Sequence, residues 1–134
     1  MSNANTTAKV TKITPVRIVD RIEPCMPFWC DALGYRKAAE LAHDGRLGFV
    51  MLEAPDDGGE FMLQTRACLA DDIAPAGALE PHTVLYVEVA SLAAAREATR
   101  QAKVLVAERT TSYGMRESVV VDPAGTVVIL AEKA

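Results

Sequence analysis

An α+β fold built from two similar halves is what this sequence predicts, and three observations carry it. The first is a β, α, β, β run of signals that occurs twice along the 134 residues. The second is a pair of matching turns, Gly58-Gly59 in the earlier half and Asp122-Pro-Ala-Gly125 in the later one. The third is size. Each half spans about 55 residues, too few to cover its own sheet face, so the halves are expected to press their sheets into one curved surface that leaves a cleft.

The elements follow in order. Residues 1–11 are polar and lack the apolar core of a signal peptide, so they read as a disordered leader. Residues 12–19 (KITPVRIV) form a first strand, weakened by Pro15. Asp20-Arg-Ile-Glu23 has the spacing of a capping box, and Pro24 and Pro27 suit only a helix's first turn, so the helix is expected to start near Cys25 and stop at Gly34. Residues 47–53 (LGFVMLE) and 61–65 (FMLQT) are strands joined through the turn-rich 55–59. The first module is therefore 12–66, a polar linker covers 67–81, and the second module is 82–134.

In the second module residues 83–89 (TVLYVEV) are a strand, and Ser91 caps a helix expected to reach Ala102, with Leu92, Ala95 and Ala98 on one face. A short strand at 104–108 and the strands 117–121 and 126–130 complete it. Overlaying the halves sets Asp20 on Ser91 and Gly59 on Gly125. Asp122 and Gly125 read as turn chemistry rather than catalytic groups.

Composition excludes several function classes. A net charge of −4 without any Lys/Arg cluster gives nucleic-acid phosphates no footprint. No apolar run approaches the ~20 residues that span a bilayer. Cys25, Cys30 and Cys68 make no CxxC pair, and two histidines are too few for a zinc cage of Cys and His. A reduced, cytoplasmic setting is expected. No nucleophile elbow and no phosphate-cradling glycine loop is present.

Three stretches in order resemble one superfamily. PFWCDALGYRK (27–37) resembles the Leu-Gly-aromatic helix end of the vicinal oxygen chelate proteins, which include glyoxalase I, extradiol dioxygenases and the fosfomycin- and bleomycin-resistance proteins. YVEVASLAAAREA (86–98) resembles the strand-to-helix passage of their second module, and YGMRESVVVDPAGTVVIL (113–130) their WGMRE…DPDGN ending, with Tyr113 in place of the Trp. The resemblance covers residues 13–132. It implies two βαβββ modules forming a cupped mixed sheet around a cavity, a small-molecule ligand and a homodimer.

Metal-using members of that superfamily place a His, Glu or Gln on each of four strands. Counting seven residues back from Asp20 and Ser91 reaches Ile13 and Val84; counting four on from Gly59 and Gly125 reaches Leu63 and Ile129. A one-residue slip in the first module substitutes Lys12 or Thr14. Aliphatic side chains give a divalent ion no lone pair, so no metal and no cofactor is expected. His82, Glu60 and Gln64 lie near the counted positions, and His82 alone would be one ligand where three or four are needed.

Glu117 is the main polar candidate. It shares a strand face with Val119 and Val121, on the wall expected to face the cavity. A carboxylate there needs a partner or a raised pKa, which makes it either a general base or ligand grip, or a structural acid paired with Arg116 or Arg109. Phe49, Met51, Phe61, His82, Tyr113 and Met115 join it as expected ligand-binding residues, and Trp29 is a further wall candidate that ordinary core packing also explains. The leading functional reading is a metal-free binder of a small organic ligand. The alternatives are a metal-free lyase, isomerase or hydrolase with Glu117 as base, and a metal-dependent glyoxalase or dioxygenase.

Overall fold

The computed structural model describes residues 8–134. It resolves into two compact units, residues 14–83 and residues 84–134 with residues 8–13. The division falls two residues beyond each of the module starts read from sequence. The leader expected over 1–11 lies mostly outside the described residues, and its last two residues already belong to a strand.

That strand, β1 (Val10–Val19), contributes to both units. In the 14–83 unit its later residues run parallel to β4 (Glu60–Thr65), with Val16 opposite Met62 and Ile18 opposite Gln64. β4 pairs antiparallel with β3 (Arg46–Glu53), and β3 with β2 (Arg36–His43). β2 was not visible in the sequence. Arg-Lys-Ala-Ala-Glu-Leu-Ala-His is rich in helix formers, and almost every residue of it is exposed at the sheet edge, so no alternation marks it as a strand.

The helix expected after Asp20 is reduced to a 3₁₀ turn (Glu23–Cys25) and a π-helical turn (Pro27–Ala32). The capping box does not form: Asp20 faces Arg66 Nε at 3.4 Å, and Glu23 accepts the Leu47 backbone N–H at 2.8 Å. Two prolines without N–H groups leave a regular helix little to build on. The stop is where expected, with Gly34 at φ +75°. Ile22, Val50, Leu52 and Leu63 form the buried core of this unit, with Trp29, Tyr35 and Phe61 packed on it. The stretch read as a linker holds two short helices, α1 (Arg66–Asp72) and α2 (Ala74–Gly77), and the Thr65 hydroxyl caps α1 on the Cys68 N–H at 3.1 Å.

In the other unit the Lys9 carbonyl and the Thr11 hydroxyl bond to Ala90 and Glu88 at 2.9 and 3.2 Å, which ties the start of β1 to β5 (Thr83–Val89). Ser91 caps α3 (Leu92–Ala98) on the Ala94 N–H at 3.1 Å, as expected, and the helix ends four residues short of Ala102. β6 (Lys103–Thr110), β7 (Met115–Val121) and β8 (Val127–Lys133) follow. β5 runs parallel to β8; β8–β7 and β7–β6 are antiparallel. Leu92 and Ala95 of α3 pack on Val87, Val89, Val120 and Leu130. At the β7–β8 turn Asp122 Oδ1 accepts the Ala124 and Thr126 N–H groups at 2.9 and 2.8 Å. Each unit is mixed in its pairing, and the architecture is the α+β class expected.

Candidate functional site

β7 places Glu117 opposite Arg109 of β6 on one side and opposite Ala131 of β8 on the other. Glu117 has no solvent exposure. Its Oε1 accepts Arg109 Nε at 3.0 Å and Nη2 at 2.9 Å, a two-pronged ion pair. Its Oε2 accepts two hydroxyls, Tyr86 and Tyr113, each at 2.6 Å. Tyr86 stands on β5 opposite Ile129 of β8, and its hydroxyl reaches diagonally across that strand to Glu117, which faces Ala131. Tyr113 comes from the turn before β7, which Gly114 (φ +84°) and the Thr111 hydroxyl, bonded to Met115 N–H at 3.0 Å, hold in place.

Four donors therefore occupy the four lone-pair directions of one carboxylate. The arrangement also acts on Tyr86, whose pKa is pushed well above the ordinary tyrosine range, first by burial, then by its bond to Glu117 and the negative charge there. Tyr86 stays a proton donor at neutral pH. Of the two arginines weighed for Glu117 the structure selects Arg109, while Arg116 pairs with Glu132 at 3.1 Å.

The expected ligand residues do not all come together. In the 14–83 unit Phe49 and Met51 stand on the sheet face shared by Met62 and Gln64, and by Thr14, Val16 and Ile18 of β1. Phe61 is on the opposite face, against Trp29 and Tyr35. His82 is exposed, and its backbone carbonyl accepts Ile18 N–H at 2.8 Å and Arg17 Nη1 at 3.1 Å. Tyr113 lies on Glu117, and Met115 starts β7 half-buried beside them in sequence.

The strand registers correct the overlay of the halves. Val19 and Val89 end the first strands, and Ile22 and Leu92, three residues on, are each buried in their unit's core. Arg21, not Asp20, thus corresponds to Ser91. Thr14 then corresponds to Val84. Because Val16 faces Met62 and Tyr86 faces Ile129, Met62 corresponds to Ile129. Ile13 is exposed, and Leu63 is core on the opposite face. The four equivalent positions carry a hydroxyl, a thioether and two hydrocarbons. Thr14 is wholly buried, and its Oγ1 has no hydrogen-bond partner among the described residues.

Two other groupings stand in the same unit. His43 Nε2 meets Asp71 Oδ2 at 2.7 Å, with Asp44 Oδ2 3.6 Å from Nδ1; both aspartates are exposed. A cavity of about 620 Å³ opens on the Phe61 face, with Arg17, Val19, Cys25, Trp29, Tyr35 and Leu63 on its walls. Neither Tyr86 nor Arg17 was singled out from sequence. Tyr86 was legible as a polar-tipped residue inside a strand; nothing in the sequence sets Arg17 apart from the chain's other charges.

No protein-family model matches the chain, and no curated protein does. Solved structures do. A glyoxalase/bleomycin resistance protein/dioxygenase superfamily member from Vibrio splendidus 12B01 superposes with a TM-score of 0.68 at 16% identity, over 95% of this chain and 100% of that one. Methylmalonyl-CoA epimerase from Mycobacterium tuberculosis gives 0.67 at 18% identity, over 96% and 91%. A variant of the Streptomyces coelicolor epimerase, in complex with 2-nitronate-propionyl-CoA, gives 0.59 at 18%, over 94% and 99%.

Proposed function

We propose that this chain, which has the fold of the glyoxalase/bleomycin-resistance/dioxygenase superfamily, binds a small organic molecule without the help of a metal ion. The observation that carries the reading is Thr14. A buried hydroxyl with no partner costs roughly 1–3 kcal/mol, which a polar atom of a ligand would recover on displacing the side chains that cover Thr14. On its sheet face Phe49, Met51 and Met62 supply an adaptable apolar wall, and Gln64 an amide.

The metal positions of the superfamily do not suit a divalent ion here. Thr14 and Met62 in one unit, Val84 and Ile129 in the other, include no imidazole and no carboxylate. The alternative with Glu117 as general base has less support, because each of its acceptor positions is already taken by Arg109, Tyr86 or Tyr113.

A thermal-shift screen of metabolites and drugs in the presence of a chelator tests the reading. Saturable stabilisation is expected, at least tenfold weaker in Thr14→Val. Stabilisation that appears only with added nickel, zinc, iron or manganese would overturn it, as would a broad library without a single hit. We include self-association as a homodimer in the proposal, supported by the exposed apolar side chains of Phe28, Leu33 and Leu41. Light scattering at a monomer's mass would remove that part. Three free thiols support residence in a reducing cytoplasm. Among the described residues no helix is long and apolar enough to cross a membrane.

A further inference from the structure

The cavity on the Phe61 face is a separate feature of the 14–83 unit, on the side of the sheet away from Thr14, Met51 and Met62. Its floor is the β1–β4 pair, where Val19 and Leu63 present hydrocarbon. The shortened helical turns leave that floor incompletely covered, because two prolines prevent the regular helix that would close it. Trp29, Tyr35 and Phe61 stand around it, with ring centroids 4.6 Å apart for Trp29–Phe61, 5.3 Å for Trp29–Tyr35 and 5.5 Å for Tyr35–Phe61. All three pairs meet edge to face, an arrangement that leaves ring faces and edges for a further aromatic ring to join. A volume of about 620 Å³ is that of a small-molecule pocket.

The charge at this cavity has a sign. Arg17 lines it, and one guanidinium nitrogen, Nη1, is held at 3.1 Å by the His82 carbonyl. That bond orients the side chain, while the other N–H groups of the fork have no partner among the described residues. Glu60 is the one carboxylate among the residues that line the cavity. A planar fork with donors to spare matches a carboxylate or sulfonate.

We propose that the cavity formed by Arg17, Trp29, Tyr35, Phe61 and Leu63 binds a small aromatic anion, its ring among the three aromatic side chains and its acid group on Arg17. The site is independent of the ligand proposed for the Thr14 face.

Trp29 is the chain's single tryptophan, so its indole N–H gives one cross-peak in a ¹⁵N-labelled sample. Titration with 2-naphthoate should move that peak saturably, and 2-naphthamide and 2-naphthylmethylammonium should bind at least tenfold more weakly. Arg17→Gln should lower naphthoate affinity tenfold or more, Arg17→Lys should restore part of it, and Thr14→Val should leave it unchanged. Arg17 is exposed, so these variants are expected to fold. A peak that does not move, equal binding of acid and amide, or unaltered affinity in Arg17→Gln would each overturn the proposal. Loss of naphthoate binding in Thr14→Val would assign the anion to the other face and overturn it as well.

Discussion

The Tyr86 hydroxyl crosses β8 to donate a 2.6 Å hydrogen bond to Oε2 of Glu117, a carboxylate with no exposure to solvent. With Tyr113 and the Arg109 fork, itself half-buried, it completes an ion pair around a buried carboxylate in which every acceptor direction is used. Such a pair contributes little net stability when whole and costs much when broken, since its desolvation is already spent on both partners.

Removing one partner is therefore the revealing change. Glu117→Gln keeps the shape and removes the charge that Arg109, Tyr86 and Tyr113 all face, and should destabilise by about 1–3 kcal/mol, less than for a fully buried pair because Arg109 keeps part of its hydration. Arg109→Met with Glu117→Leu removes both charges. The double variant should be more stable than Glu117→Gln alone, despite carrying two substitutions. Urea denaturation followed by circular dichroism decides it, with Arg109→Met and Glu117→Leu measured singly to close the cycle; near-additive losses would show that the two residues are not coupled.

Tyr86 has an alkaline signature. Its folded pKa is raised, so the folded state holds the proton after an unfolded tyrosine, with a pKa of about 10, has released it. The contribution is complete below pH ~10 and is lost as pH climbs from there toward the folded value. Stability above pH 10 should thus fall more steeply in the wild type than in Tyr86→Phe. Matching alkaline limbs in the two proteins would contradict the assignment.

The strands were legible where burial left a pattern or a run. β3 sets Val50 and Leu52 at period two, β5 does the same with Val87 and Val89, β7 and β8 are near-continuous buried apolar runs around Val119 and Ile129, and the Ser91 cap and the Asp122 turn act through local chemistry that the sequence displays. β2 was not legible, because an exposed edge strand has no buried face to set a pattern. The helix after Asp20 was overread, since capping spacing counts for little when Pro24 and Pro27 remove N–H groups. Glu117 was visible as an anomaly, and its need for a partner followed from burial alone. Its tyrosines come from β5 and a turn, and only the register of three strands brings them to one oxygen.

β2 also makes a test possible at a glycine. A Cβ on Gly48 would lie 2.4 Å from the Cβ of His43 and 3.3 Å from the Cys68 sulfur. The nearest of these atoms is fixed to the β2 backbone, so the strand itself would have to move. The β2–β3 register already shifts between Leu41 and Ala42. Gly48→Ala should cost about 1–3 kcal/mol by overpacking and raise amide exchange along β2 before the rest of the unit. A variant as stable as the wild type, with unchanged exchange, would mean that the edge strand adjusts without cost.

Glu23 gives the acid counterpart of Tyr86. Its carboxylate accepts the Leu47 N–H at 2.8 Å, which joins the 3₁₀ turn to the start of β3. That backbone bond is the main reason its pKa lies below the ordinary 4.5, with the charges of Arg21 and Arg46 adding to it and burial opposing it. A depressed folded pKa means that the unfolded chain takes up the proton first as pH falls. The contribution is present above pH 4.5 and is lost as pH drops through the folded value. Glu23→Gln retains an acceptor oxygen for Leu47 and has nothing to titrate. Below pH 4.5 its stability should decline less steeply than that of the wild type, with the difference read from melting temperatures between pH 3 and 6. The Leu47 amide proton should lose protection in the wild type as acid is added and keep it in the variant. Identical acid limbs would detach Glu23 from the stability of this turn.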